Sequence, residues 1–221
     1  MDKRVTIFAG HYGSGKTNIA VNYALSLASD HKEVVIADLD IVNPYFRTKD
    51  ASEVLEKNGV KLVSSPYANT NVDTPALPAE AYAVIHNKDV HAVIDVGGDD
   101  RGALALGRFA SAIVAENNYD MLFVINKYRY LTNTPEDTVE IMREIEDACS
   151  VKFTAIVNNS NLGDETTAEN VLSSIEYAKS VANLSGLEIK MTTVSDKLMS
   201  ELNGKVENLF PLKLYVKQFI R

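Results

Sequence analysis

Seven short apolar runs punctuate the chain: Val5–Ala9, Glu33–Ala37, Val60–Val63, His91–Val96, Met121–Asn126, Phe153–Asn158 and Leu187–Val194. Most are continuously apolar rather than alternating, the pattern of strands covered on both faces in a parallel sheet. Between them, apolar residues recur at helical spacing, notably over Asn18–Ser29, Ala103–Glu116, Pro135–Ala148 and Thr167–Asn183. Strands that alternate with helices predict an α/β fold, a doubly wound and mostly parallel sheet in a three-layer sandwich. No linker or shift in composition divides the sequence, so residues 1–221 read as one domain. With 46% of its 221 residues hydrophobic, the chain can bury a full core.

Charge and composition narrow the classes of function. A formal net charge of −8 argues against a general nucleic-acid surface. No apolar run approaches the length of a bilayer span, so a membrane partner is not expected. The N-terminus passes straight into the first strand with no room for a secretory signal, and the expected compartment is cytoplasmic. The single cysteine, Cys149, permits no internal disulfide and reads as a core thiol.

Gly10-His11-Tyr12-Gly13-Ser14-Gly15-Lys16-Thr17 matches G-x-x-x-x-G-K-[ST], a phosphate-binding loop. The match sits between a predicted strand and a predicted helix, the context the chemistry requires. Glycines allow main-chain N–H groups to wrap a phosphate, and the helix start adds unpaired amides and a partial positive charge. Gly10, Tyr12, Gly13, Ser14, Gly15, Lys16, Thr17 and Asn18 are therefore the candidate phosphate-binding residues. Lys16 is placed to reach the outer phosphates, and Thr17 to offer its hydroxyl to Mg²⁺.

In a doubly wound sheet the ligand lies beyond the carboxyl ends of the strands. Acidic residues close two of the predicted strands, where they are costly unless a cation or hydrogen-bond donors face them. Asp95 after Ala92-Val93-Ile94 suits the Mg²⁺ side of such a site, and Gly98 lets a backbone N–H approach the terminal phosphate. Asp38 and Asp40 lie two apart, so an extended chain points both the same way. They are candidates for the Mg²⁺ shell and for positioning a water. The competing reading of each aspartate is a helix N-cap or a solvated loop end.

With these strand ends in place, the sequence resembles the MinD/ParA and CobQ/CobB nucleotide-binding proteins, of the SIMIBI class of P-loop NTPases. The resemblance rests on the loop at 10–17, VVIADLDIVNP at 34–44, the D-x-x-G of Asp95 to Gly98, and IVNN at 156–159. It implies ATP and Mg²⁺ as ligands, slow ATPase (hydrolase) activity and a nucleotide-gated switch. It places Asp38 with Thr17 and Asp95 at the metal, Lys16 and Asp40 in hydrolysis, and Asn158 or Asn159, with Asn158 favoured, at the adenine. It also implies a protein partner of unknown identity and a homodimer.

His11 stands where MinD/ParA proteins usually carry a lysine that crosses to the partner's nucleotide. An imidazole is shorter and is not a fixed ammonium. Two alternatives within the class are an ATP-dependent synthetase or kinase activating a small carboxylic acid, and a GTPase of the metallochaperone type. For the latter, Asn126-Lys127 resembles the start of N-K-x-D, but Arg129 replaces the aspartate and can only donate. Two loops, Tyr45-Phe46-Arg47 and Ser64 to Pro75, are candidates for partner or substrate contacts. Leu209 to Arg221 reads as an amphipathic helix docked on the sheet.

Overall fold

The computed structural model describes residues 3–30, 33–40, 48–64 and 79–216. One sheet runs through them. It opens with β1 (Val5–Ala9), β2 (Val34–Asp38) and β3 (Val60–Val63). β4 (His91–Asp95), β5 (Tyr119–Ile125) and β6 (Ala155–Asn158) follow, then β7 (Glu188–Ser195) and β8 (Leu209–Leu212). The order across the sheet is β3-β2-β4-β1-β5-β6-β7-β8, and every pairing among these strands is parallel.

Helices cover both faces, which explains the continuously apolar strands. On one face α1 (Lys16–Asp30) and α2 (Ser52–Lys57) pack Ile19, Ala24, Leu27 and Leu55 onto Phe8, Ile36 and Val124. On the other lie α3 (Ala79–His86), α4 (Asp100–Gly107), α5 (Ala110–Glu116), α6 (Pro135–Cys149) and α7 (Ala168–Ser185). There Ile85, Leu106, Ile113, Met142 and Val181 meet Ile7, Ile94 and Phe123. A short α8 (Met199–Leu202) closes a small cluster through Leu202, Val171 and Val194. This is the doubly wound three-layer α/β sandwich expected from the alternation of strands and helices.

Two elements differ from expectation. The helix predicted over Ala103–Glu116 is two helices, with the turn at Arg108-Phe109 between them. The break lets Phe109 bury its ring against Tyr82, with centroids 4.7 Å apart. The terminal helix predicted from Leu209 is instead a strand over its first four residues, paired with β7 from Thr192↔Leu209 to Ser195↔Leu212. Pro211 is tolerated because β8 is the edge of the sheet. Residues 213–216 continue without helix, and 217–221 lie outside the described residues.

Strand order places the site. The chain leaves β1 for one side of the sheet, returns at β4, and builds the other side from β5 onward. β1 and its neighbours therefore form the crevice where α/β sheets bind ligands.

Candidate functional site

The loop 10–17 links β1 to α1. Gly10, at φ +152°, lies so close to β5 that a Cβ on it would stand 2.4 Å from the Val124 carbonyl oxygen. The loop then turns tightly, with the Ser14 N–H donating to the His11 carbonyl at 3.2 Å. Lys16 Nζ reaches the same carbonyl, also at 3.2 Å. His11 is half-buried, with Nδ1 3.0 Å from the carbonyl oxygen of Tyr12, whereas Tyr12 is 52% exposed.

The two acidic strand ends meet beside this loop. Asp38 and Asp95 are register partners on β2 and β4, and Phe8 of β1 is the partner of Asp95 on its other side. Both carboxylates are buried. Asp38 Oδ1 accepts from the Asp40 N–H at 2.9 Å, which ties the chain just past β2 to the strand's last carboxylate. Asp40 lies against Gly97, where a Cβ would come 3.4 Å from its carboxyl.

Burial pushes the Asp95 carboxyl up to about 6. Lys16 and the Thr17 and Thr48 hydroxyls oppose that shift, and Asp40 adds to it. Thr48 Oγ1 donates to Asp95 Oδ2 at 3.1 Å, while Asp95 Oδ1 has no hydrogen-bond partner among the described residues. Burial likewise lowers the Lys16 ammonium, against the pull of Asp95, Asp40 and Asp99. The structure thus brings the sequence-predicted Lys16, Asp40 and Asp95 within electrostatic reach of one another, with Asp38 in register beside Asp95 and the Thr17 hydroxyl interacting with it. Asp99, by contrast, caps α4 by accepting from the Gly102 N–H at 3.0 Å.

Gly98 brings the β4 loop onto the phosphate-binding loop. A Cβ there would stand 2.6 Å from Tyr12 Cα, 2.7 Å from Tyr12 N and 2.9 Å from Lys16 Nζ. Ser14 Oγ is buried without a hydrogen-bond partner among the described residues. An orphaned carboxylate oxygen, an orphaned hydroxyl and a bare backbone cradle fit an anion with a hard cation, the donor set of Mg²⁺ being oxygen. Among the described residues no cluster of His, Cys, Asp or Glu stands ready to hold a metal by protein ligands alone.

A cavity on the other side of the loop is lined by Gly15, Asn18, Asn159, Asp164, Val194 and Leu212, among others. The two asparagines ending β6 part here. Asn158 is fully buried; its amide donates to Ser174 Oγ at 2.9 Å and its oxygen accepts from Ser160 Oγ at 2.7 Å. Asn159 lines the cavity, donating to the Ser14 carbonyl at 2.6 Å and accepting from Thr193 Oγ1 at 2.6 Å. Asn18 turns its carboxamide to the C-terminal segment, accepting from the Tyr215 and Val216 N–H groups.

The stretch Asn126-Lys127, the alternative guanine-reading element, is engaged in local hydrogen bonds. Asn126 braces its own loop, accepting from Tyr128 N–H at 3.0 Å, and Lys127 Nζ reaches the Ser173 carbonyl at 3.0 Å. Sequence reasoning missed Thr48, for which no motif signals a role, and the contact of Arg129 with the loop. Of the predicted contact loops, Tyr45-Phe46-Arg47 and residues 65–75 lie outside the described residues. No helix of the described residues is long and apolar enough to cross a membrane.

The family model described as the CobQ/CobB/MinD/ParA nucleotide binding domain matches residues 5–186. Among solved structures, FtsY from Mycoplasma mycoides gives a TM-score of 0.55 at 20% identity, covering 86% of this chain and 59% of that one. Cell division protein FtsY from Thermotoga maritima gives 0.55 at 22%, covering 86% and 61%. Signal recognition particle receptor FtsY from Elizabethkingia anophelis, in complex with GDP, gives 0.54 at 18%, covering 88% and 58%. At such identities the likeness is one of fold, and the chain spans about three fifths of the length of these structures. No curated protein matches the sequence.

Proposed function

The chain belongs to the CobQ/CobB/MinD/ParA nucleotide-binding family, and on that premise we propose that it binds Mg²⁺-ATP at residues 10–17 and hydrolyses it slowly, as a nucleotide-gated switch. The observation that carries the reading is Asp95. It is a buried carboxylate with one oxygen unpartnered among the described residues, drawn electrostatically to Lys16 and in register with Asp38. Leaving such an oxygen unmade is unfavourable, and a cation brought in with the nucleotide relieves it.

Main-chain amides of the loop and the start of α1 hold the phosphates, and Lys16 neutralises the charge that develops on the terminal group. Thr17, Asp95 and Asp38 would hold the metal shell. When bound, Mg²⁺ supplies charge that stabilises the phosphate oxygens during in-line attack. Asp40, tied to Asp38 through its N–H and lying against Gly97, orients the attacking water. Asn159 faces the cavity beside the loop and is the better placed of the two asparagines to meet the adenine, while Asn158 shapes the strand end behind it.

The output is a change in the segments that follow Asp38 and Asp95, read by a protein partner. A second copy of the chain is one such partner, although His11 does not supply the fixed ammonium that bridges two nucleotides in relatives carrying lysine there. The test is phosphate release with Mg²⁺-ATP, together with light scattering with and without a non-hydrolysable analogue. Slow release abolished by Asp40→Asn supports the reading. Absence of any release over hours, with ATP bound, refutes the hydrolytic part.

A further inference from the structure

We propose that Arg129 is a positioning residue of the phosphate-binding loop: it fixes the Gly13–Ser14 peptide from outside, and so presets the loop for the phosphate chain. The inference deepens the nucleotide-binding reading and rests on it. Arg129 follows β5, and its Nε donates to the Gly13 carbonyl at 2.9 Å across 116 residues of sequence. The side chain lies directly over the glycine: a Cβ on Gly13 would stand 3.4 Å from Nε and 3.7 Å from Cδ and Cζ. Gly13 itself sits at φ +76°, a conformation that side-chain-bearing residues rarely hold unaided. A charged donor on its carbonyl is a strong way to keep it there.

The grip has a second jaw one residue on. The Asn159 amide donates to the Ser14 carbonyl at 2.6 Å, so consecutive carbonyls of the loop are held from the ends of two neighbouring strands. Those two strand ends are themselves tied together. Fully buried Asn126 accepts from the Tyr128 N–H at 3.0 Å and the Asn161 N–H at 3.3 Å, and its own carbonyl accepts from the Arg129 N–H at 3.1 Å. The arginine thus comes from a braced platform rather than a free loop end. The two held carbonyls fix consecutive peptide planes of the turn: the Ser14 N–H of the first closes it on the His11 carbonyl at 3.2 Å, and the second presents the Gly15 N–H to a ligand.

The Nε position separates this role from general packing. Glutamine carries an N–H the same number of bonds from the backbone as arginine Nε, so Arg129→Gln keeps a donor for Gly13. Methionine keeps a stem of similar length with no donor. The experiment measures affinities for Mg²⁺-ADP and Mg²⁺-ATP by calorimetry in the parent, Arg129→Gln and Arg129→Met. In parallel, amide hydrogen exchange of residues 12–15 is followed in the nucleotide-free proteins, with Arg129→Ala as a second donor-less variant. Both affinities are expected to fall about tenfold in the methionine variant and to stay within about threefold of the parent in the glutamine variant. Exchange should be severalfold faster in the donor-less variants only. Parental affinities and exchange in Arg129→Met overturn the proposal, as does a folded Arg129→Gln that behaves like the methionine variant. Should the parent itself bind no nucleotide, the nucleotide reading fails, while the exchange data still decide whether Arg129 holds the loop.

Discussion

Adding one methyl group at Gly98 probes the contact between the β4 loop and the phosphate-binding loop. The Cβ of Gly98→Ala would meet Tyr12 Cα at 2.6 Å, Tyr12 N at 2.7 Å and Lys16 Nζ at 2.9 Å. The lysine end can swing away, but the Tyr12 atoms are backbone of a tight turn closed by Ser14 and His11. Relief must therefore come from moving one loop against the other. Overpacking of this kind costs about 1–3 kcal/mol. In a chain of this size that lowers the melting temperature by about 2–12 °C.

Displacing the loop also loses binding, at about 1.4 kcal/mol per tenfold, so affinity for Mg²⁺-ATP should fall on the order of ten- to a hundredfold. Gly186→Ala is the control. Gly186 caps α7 at φ +75° with open space around its Cβ position. Alanine there should cost about 1 kcal/mol of stability through strain alone and leave nucleotide affinity unchanged. The assay is thermal melting and calorimetry on the three proteins. A Gly98→Ala protein that binds nucleotide within about twofold of the parent would refute the claim that these loops jointly form the phosphate site.

Other consequences follow from residues away from the loop. Glu116 is held down to about 2 by its hydrogen bonds to buried Arg4 and then to Lys88. Its folded-state value lies below the ordinary 4.5, so its stabilisation is complete above about pH 4.5 and fades as pH falls toward 2. Glu116→Gln should remove about 1–2 kcal/mol at pH 7, the solvent beside Lys88 screening part of the shift, and flatten the acid limb of a urea-melt series, whereas a parallel limb would contradict the ion pair's importance. Cys149 is fully buried and its thiol is pushed up by burial. It should resist a thiol reagent in the folded protein and react stoichiometrically in denaturant; rapid labelling of folded protein would contradict that placement. Asn126→Ala leaves the Tyr128 and Asn161 N–H groups without their acceptor. A loss of about 1–3 kcal/mol in denaturant titrations is expected, and none would show that the β5 and β6 ends are not braced there.

The sheet was legible because each parallel strand is apolar on both faces, a signal that needs no knowledge of its neighbours. β8 was not, because four residues containing a proline carry no period of their own, and Leu212, Tyr215 and Val216 also fit a helical stripe. The helix break at Arg108-Phe109 similarly hides inside a continuous apolar rhythm, and only the contact of Phe109 with Tyr82 explains it. At the site, residue types and spacing announced Lys16, Asp38 and Asp95, since a carboxylate closing a buried strand needs a reason. What spacing could not give is direction. Asn158 and Asn159 are adjacent and identical, yet one turns beneath Ser160 and the other onto Ser14. Nor could it show Thr48 on Asp95 or Arg129 on Gly13, which join positions 47 and 116 residues apart.

The most direct measurement is calorimetric titration of the protein and of Lys16→Ala with ATP, in the presence and absence of Mg²⁺. Saturable heat with one nucleotide per chain, strengthened by Mg²⁺ and lost in the lysine variant, is the predicted result. No heat from ATP or any other purine nucleotide, or equal affinity in Lys16→Ala, would contradict it.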